Sequence, residues 1–251
     1  MTEQKTHNLG LDKLVLPIII VIAWYIISDV LMLFPSYILP GPLEVITAFI
    51  NQISSGSLFR DIIDTLYRVL VGMFLAAVVG ISLGIVLGES KRLERLCNLI
   101  ISILRPIPPI AWIPFSILWF GIGTAPAVFI IFMGCVFPIL ISTIDGVRRT
   151  RKVLLEAALS FGASRTQLLT EVILPSTIPY IISALKVAIG VALMCTIAGE
   201  MIGSSTGIGH MILTSTNIFD TGSTVVGMLV IGFLGIIFDY IFTKIQERIF
   251  W

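Results

Sequence analysis

Three ionisable residues, Arg105, Lys186 and Glu200, stand inside stretches of this sequence that are otherwise apolar. A charge within such a stretch is costly when the stretch lies in lipid, so the side chain usually faces a partner group or water. Contact with a charged solute and a structural ion pair, for example Glu200 with Arg68 or Arg105, are both compatible with these positions. Lys186 can also extend its amine to the nearby surface along its apolar stem. We therefore take these three residues as candidates for a translocation pathway or gate.

The composition places these residues in a membrane protein. Hydrophobic residues make up 57% of the 251 residues and charged residues 12%, which is far from the balance of a soluble domain. The formal net charge of +1 suggests neither a nucleic-acid surface nor a strongly acidic partner. We expect a multi-pass protein in a lipid bilayer.

The sequence carries little that could hold a cofactor. No GxxxxGK followed by Ser or Thr is present, so we expect any ATP to be bound by another chain. The two histidines are far apart, and Cys97, Cys135 and Cys195 lie in different apolar segments without ligand spacing. We expect no metal, no cofactor and no catalysis in this chain.

The apolar runs predict an all-α integral membrane protein that forms one domain over residues 1–251. Each run is close to the 20 residues that a helix needs to cross the hydrocarbon core. The six predicted spans are residues 14–34, 66–88, 96–120, 125–144, 180–202 and 224–245.

The basic residues predict the orientation of these spans. With both termini in the cytoplasm, twelve of the sixteen Lys and Arg residues fall on the cytoplasmic side. The polar loop 148–178 then faces the cytoplasm as well.

The third span contains a run of prolines that a regular helix cannot accommodate. Pro106, Pro108, Pro109 and Pro114 fall within nine residues, and each removes a backbone donor and obstructs the preceding turn. Broken backbone at membrane depth is tolerated where it is buried in protein or lines a wet cavity. The run therefore indicates a translocation pathway, with a break packed against neighbouring helices as the alternative.

Small residues on the second span predict a close helix contact. Gly72, Gly80, Gly84 and Gly88 recur at intervals of four or eight residues. A stripe of this kind lets another helix approach closely within lipid.

The loop from Glu156 to Pro175 is predicted to fold. Its Ala, Leu, Glu and Gln residues favour helix, and Gly162 falls where a helix would need a cap or a sharp turn. Pro175 and Pro179 are expected to close the loop before the next apolar run. We expect two short helices set at an angle.

This loop resembles the cytoplasmic EAA loop of ABC-importer membrane subunits, in which it docks on the ATPase. The resemblance rests on Glu156-Ala157-Ala158, Gly162 and Leu174-Pro175 at the family's spacing, with Val172 where Ile is usual. Further stretches resemble the nitrate, sulfonate and taurine branch of these permeases. They are 65–72, 104–123, 137–140, 154–169 and 198–202.

The resemblance implies a type I ABC-importer permease in the inner membrane of a prokaryote. It implies a homodimer that sits on two copies of an ATPase, which bind ATP and Mg, and that receives its solute from an extracytoplasmic binding protein. The implied coupling residues are Glu156, Ala157, Ala158, Gly162, Ala163, Leu174 and Pro175. The pathway or gate candidates come from the proline run and the intramembrane charges themselves, and they are Arg105, Pro106, Pro108, Pro109, Lys186 and Glu200.

The same resemblance implies a small anion as solute, such as nitrate, a sulfonate, taurine or bicarbonate. Arg105 beside the proline run would attract such an anion, and Glu200 would then act as a gate partner. An importer of the same architecture for a vitamin or vitamin precursor is an alternative. A secondary transporter should show a second broken segment in a matching position, and a membrane enzyme should show clustered His, Asp or Glu; neither pattern is evident in this sequence.

Overall fold

The computed structural model describes residues 12–249, and in that range the chain forms helices and no β-strand. The helices of the first half are α1 (Asp12–Tyr25), α2 (Pro42–Ser54), α3 (Ser57–Glu89), α4 (Lys91–Leu104) and α5 (Ile113–Phe120). Those of the second half are α6 (Thr124–Arg148), α7 (Lys152–Ser160), α8 (Arg165–Gln167), α9 (Leu174–Gly203), α10 (Ile208–Asn217) and α11 (Thr221–Ile249). The expectation of an all-α membrane fold is confirmed.

Within residues 12–249, four helical runs are long and apolar enough to cross a membrane: α3, α6, α11 and the continuous run 165–203, which contains α8 and α9. Helix α4 and the segment Pro109–Phe120 form a fifth, bent unit with an angle of 86° between its arms. The prediction that a regular helix cannot pass through the proline run is confirmed.

The first predicted span is shorter than expected. Residues 14–34 were predicted to be helical throughout, but α1 ends at Tyr25 and continues only as a π-helical turn, Ile26–Val30. The chain then turns at Met32, whose φ is +46°, ahead of the proline-containing segment that follows. The number of six spans stays a prediction.

The described chain packs as two compact units. The smaller contains residues 12–60 and 211–229, and the larger contains residues 61–210 and 230–249. Within the smaller unit, Trp24 Nε1 donates to the Pro40 carbonyl at 2.9 Å and Thr221 Oγ1 donates to the Ser36 carbonyl at 2.7 Å. These bonds fasten the connection between α1 and α2 inside that unit.

In the larger unit, the glycine stripe of α3 packs against α6. A Cβ on any of four glycines would come within 3.0 Å of a side chain of α6. The pairs are Gly72 with Ile131, Gly80 with Ile139, Gly84 with Thr143 and Gly88 with Val147. Every pair is separated by the same 59 positions, so the two helices run parallel in constant register. The predicted close contact is confirmed.

Helices α6 and α9 form the centre of the larger unit and run antiparallel. Gly146 lies against Thr177, Gly134 against Cys195 and Gly199 against Ala127. Residue numbers therefore fall along α6 as they rise along α9. Ile131, Ile139, Ala188 and Ala192 are fully buried at this centre.

Helix α11 runs antiparallel to α9 in its turn. Gln246 Nε2 donates to Ser183 Oγ at 3.1 Å, and Gly235 lies beside Leu193 further along the pair. The last turns of α3, α6 and α11 and the start of α9 therefore meet at one end of the larger unit. Residues 152–175, which contain α7 and α8, lie at this end. We call these residues the hairpin, and we call this end of the larger unit the hairpin end.

The predicted separation of the loop from the fifth span is wrong. Pro175 and Pro179 do not close the loop, because both lie inside α9. A π-helical turn, Leu168–Ile173, joins α8 to α9 and widens the helix just before Pro175, where a regular ladder would be interrupted. The fifth span of 180–202 is thus part of one 39-residue helical run, 165–203.

Candidate functional site

A cavity of about 510 Å³ opens beside the proline break. Arg105 and Pro109 form part of its wall, and α6 and α9 contribute the hydroxyls of Ser142 and Ser183. Phe137, Val187 and Val191 are among the apolar residues of the rest of the wall. The wall of this cavity therefore combines one cation and two hydroxyls with mostly apolar residues.

Arg105 also lines a second cavity, of about 500 Å³. Its other lining groups include Glu94, Asn98, Ser102 and Asp145. Arg105 therefore borders both spaces.

The backbone around Arg105 explains its position. The Arg105 amide donates to the Ile101 carbonyl at 2.9 Å and completes the last turn of α4. Pro106 has no amide hydrogen, so the helical hydrogen bonds cannot continue past Arg105. Pro106 lines the second cavity and Pro109 the first, while Pro108 precedes the short 3-10 helix Pro109–Trp112. The prolines therefore turn the chain so that Arg105 lies at the bend.

An aromatic cluster holds the second arm of the break against α6. Phe129 of α6 meets Trp119 at 5.7 Å and Phe120 at 5.5 Å between ring centroids, and it meets Trp112 at 6.4 Å. Aromatic pairs at these distances contribute beyond their burial. Trp112 is half-buried in this cluster, whereas Trp119 contacts Phe129 and stays 55% exposed.

Glu200 lies in a buried ion pair and is not among the residues that line the cavity. Its Oε1 accepts from Arg68 Nη1 at 2.6 Å, and Thr65 Oγ1 donates to the same carboxylate at 2.9 Å. Arg68 is 3% exposed and Glu200 is fully buried. Of the two partners considered for Glu200, the structure selects Arg68 over Arg105.

Lys186 also forms an ion pair, with a residue of α11. Its Nζ lies 3.1 Å from Asp239 Oδ1 and donates to Thr243 Oγ1 at 2.7 Å. It is likewise absent from the cavity wall. Of the six pathway candidates, the structure brings Arg105, Pro106 and Pro109 to the two cavities and places Lys186 and Glu200 in separate ion pairs.

The coupling candidates lie together at the hairpin end. Helix α7 ends in a Schellman motif: the Ala163 amide donates to the Ala158 carbonyl at 3.0 Å and the Gly162 amide to the Leu159 carbonyl at 2.9 Å. Gly162 has a φ of +79°, the left-handed conformation that this motif requires. Ser164 then caps α8, with reciprocal bonds to Gln167.

The surface of this hairpin is open. Glu156, Ala157 and Gly162 are exposed, as is Pro175, whereas Ala158, Ala163 and Leu174 are half-buried. Val153 and Phe161 are 72% and 92% exposed. Exposed apolar side chains on a polar hairpin are typical of a surface that a partner covers.

Several site residues were missed from the sequence. Ser142 and Ser183 carry no signal in an apolar span, because a single hydroxyl is common there. Asp239 could have been found, since an intramembrane Lys requires a counter-charge and Asp239 is an acidic residue within the last span. Thr206 and Gly209 could not have been found, because their contacts with Arg68 and Glu200 depend on the fold of the loop after α9.

Comparison with known proteins places these features in a family. Residues 76–251 match the family described as the binding-protein-dependent transport system inner membrane component. A candidate ABC transporter permease protein of Methanocaldococcus jannaschii is 37% identical, over 95% of this chain and 90% of that protein. The nitrate import permease protein NrtB of Synechococcus elongatus is 33% identical, over 88% of this chain and 82% of that protein.

Two further similarities agree with this assignment. The taurine transport system permease protein TauC of Escherichia coli is 28% identical, over 99% of this chain and 90% of that protein. An inward-facing structure of the MetNI methionine ABC transporter superposes with a TM-score of 0.70 at 21% identity, over 79% of this chain and 98% of that chain. At that identity the structural likeness shows the fold alone.

A helical membrane fold with a broken span and a cavity at the break is an arrangement typical of membrane transport proteins. This chain belongs to the family of binding-protein-dependent transport system inner membrane components, and it is a multi-pass inner-membrane permease subunit of an ABC importer. The family implies an ATPase and a solute-binding protein as partners.

Proposed function

We propose that this permease carries a small oxyanion, with a sulfonate such as taurine and nitrate as the two candidate classes. Two of the relatives are named for taurine and for nitrate. A sulfonate group and nitrate both present three equivalent oxygens around one centre and carry one negative charge. A vitamin solute is the weaker alternative, because neither of these two names concerns a vitamin.

The observation that carries this proposal is the placement of Arg105 at the bend, where it borders two cavities. A guanidinium offers a planar set of donors that matches the oxygens of an oxyanion. The Ser142 hydroxyl can supply a further donor, whereas the Ser183 hydroxyl already donates to the Pro179 carbonyl at 2.9 Å. The apolar remainder of the wall offers nothing that would retain a charged solute. In the first cavity this single cation favours an anion, while the carboxylates of Glu94 and Asp145 on the wall of the second cavity disfavour its retention there.

ATP hydrolysis is assigned to a separate subunit, and this chain binds no cofactor of its own. We place the docking surface for that subunit at the hairpin, with Glu156, Ala157, Ala158, Gly162, Ala163, Leu174 and Pro175 as its residues. The exposed Val153 and Phe161 support this placement, because an ATPase cleft would remove them from water. Two copies of this permease on two ATPases, with six spans each and both termini in the cytoplasm, complete the proposed importer.

The test is uptake of labelled taurine and labelled nitrate by proteoliposomes that contain the permease, its ATPase and its binding protein. We expect ATP-dependent uptake of one of the two, and about a tenfold loss with Arg105→Gln, since a charge-assisted hydrogen bond contributes about 1.5 kcal/mol or more. Arg105→Lys keeps the charge and should retain part of the activity. Uptake without the ATPase, or full activity of Arg105→Gln, would contradict the proposal.

A further inference from the structure

The segment that follows α9, Ser204–Gly209, is held by side chains of α3 and α9. Three consecutive amides each donate to a side-chain oxygen: Gly207 to Asp61 Oδ1 at 2.9 Å, Ile208 to Thr65 Oγ1 at 2.9 Å and Gly209 to Glu200 Oε2 at 2.8 Å. Side chains outside the segment therefore hold three of its amides, in addition to the bond that Ser204 Oγ donates to the Thr206 carbonyl within it.

Arg68 fastens the same segment from its other side. Its Nη1 donates to the Thr206 carbonyl at 2.8 Å and its Nη2 to Thr206 Oγ1 at 2.7 Å. The Nη1 atom also donates to Glu200 Oε1. One guanidinium thus joins α3, the end of α9 and the segment beyond it.

The two glycines of the segment fit tightly against this ion pair. A Cβ on Gly207, whose φ is +106°, would come within 2.5 Å of both Arg68 Nη1 and the Glu200 carboxyl carbon. A Cβ on Gly209 would come within 2.7 Å of the Ile197 carbonyl oxygen. The segment approaches the charges as closely as glycine allows.

A contribution to stability does not by itself explain why the ion pair of Arg68 and Glu200 is buried here. Removing two charges from water is costly, and an apolar pair of similar volume often stabilises a fold at least as well. Arg68 Nε is buried and has no hydrogen-bond partner among the described residues, which adds to that cost. The contacts made by the pair are directed at one short segment, which points to a role in positioning.

We propose that Arg68 and Glu200 are positioning residues of the transport cycle, which fasten the segment Ser204–Gly209 to α3 and α9 so that the three move as one piece. The inference rests on the proposed function, in which the hairpin docks on the ATPase. Glu200 lies near one end of the run 165–203, and the hairpin lies at the other end. A displacement of the hairpin is thereby carried along about 58 Å of helix to this segment.

The decisive variant is the double substitution Arg68→Met with Glu200→Leu, which removes both charges at similar volume. Hydrogen–deuterium exchange of the purified full chain should show the amides of 207–209 exchanging at least about tenfold faster, with the amides of α6 unchanged. ATP-dependent uptake should fall by about tenfold or more, although the thermal unfolding temperature in detergent is kept. Lys244→Met with Glu247→Leu removes an exposed ion pair of α11 and is the matched control.

Unchanged exchange at 207–209, or uptake at the level of the parent protein, would overturn the inference. A double variant that cannot be recovered in folded form would overturn it as well, because the pair would then serve the fold. If the parent protein takes up neither taurine nor nitrate, the proposed solute is wrong, while the exchange comparison still decides whether the pair fixes the segment.

Discussion

At Gly162 the backbone adopts a φ of +79°, and a Cβ there would meet no heavy atom within 4 Å. Any effect of a substitution therefore comes from the backbone rather than from a clash. An L-residue in the left-handed region costs about 1–2 kcal/mol, more when it is β-branched, whereas Asn tolerates the region.

We predict that Gly162→Val loosens the Schellman motif, leaves the permease inserted and uncouples uptake from ATP hydrolysis. Gly162→Asn should keep both activities close to those of the parent protein. The measurement is the ratio of solute taken up to ATP hydrolysed in proteoliposomes. Equal ratios for Val and Asn would show that the shape of this turn does not matter for coupling.

For single residues, the backbone conformation of a turn could be predicted from the sequence, whereas the ion-pair partner of a charged side chain could not. Gly162 was expected at a cap or turn because of its conformational freedom, and the Schellman motif confirms this expectation. Glu200 had two possible partners, 132 and 95 positions away along the chain, and the sequence held no information on which one is close. Lys186 was considered without its partner Asp239.

Among the elements, the parallel contact of α3 with α6 depends on glycine. A Cβ on Gly84 would lie 2.5 Å from Thr143 Cβ and 3.0 Å from the Leu140 carbonyl oxygen. Both atoms are fixed close to the backbone of α6, so the helix itself would have to shift to make room. Gly190 of α9 lies on a surface where a Cβ would meet nothing within 4 Å.

We predict that Gly84→Ala destabilises the permease by about 1–3 kcal/mol through overpacking between α3 and α6. Gly190→Ala, the matched control, should not lower the unfolding transition in detergent, because its Cβ meets no atom and Ala favours helix more than Gly does. Thermal unfolding of both variants against the parent protein is the measurement. If the Gly84 variant unfolds at the temperature of the parent protein, the two helices can separate without loss.

The elements also show where proline rules mislead. Four prolines in the third span break it, as predicted, but Pro175 and Pro179 lie within one continuous helix. Pro175 occupies the start of α9, where the missing donor matters least, and a π-helical turn precedes it. Whether a proline breaks a helix thus depends on the turn before it, which sequence spacing alone does not reveal.

For the whole molecule, the antiparallel packing of α9 against α6 and α11 brings many basic residues to the hairpin end. Lys91, Arg92, Arg95, Arg148, Arg149, Arg151, Lys152 and Arg165 lie in or next to the elements that meet there. Such a bias predicts the cytoplasmic side. The segment Ser204–Gly209, at the other end of α9, should then face outward.

This orientation can be tested by thiol labelling in a variant whose three cysteines are replaced by Ala. Ser160 and Ser205 are both exposed. A membrane-impermeant maleimide should label Ser160→Cys only in inverted vesicles and Ser205→Cys only in intact spheroplasts. The opposite pattern would place the hairpin outside the cell and exclude contact with a cytoplasmic ATPase.

The sequence by itself determined the class of this protein, because hydropathy, basic-residue bias, proline spacing and the hairpin residues act locally or along one helix. Only the tertiary structure decided that Glu200 pairs with Arg68, that Lys186 pairs with Asp239, that the hairpin continues into α9, and that Arg105 borders two cavities. The reason is physical: the ion pairs and the cavity walls are contacts between helices distant in the chain, and helix packing selects them from several partners that local preferences leave equally possible. The continuation into α9 depends on the π-helical turn before Pro175, which the residue spacing does not reveal.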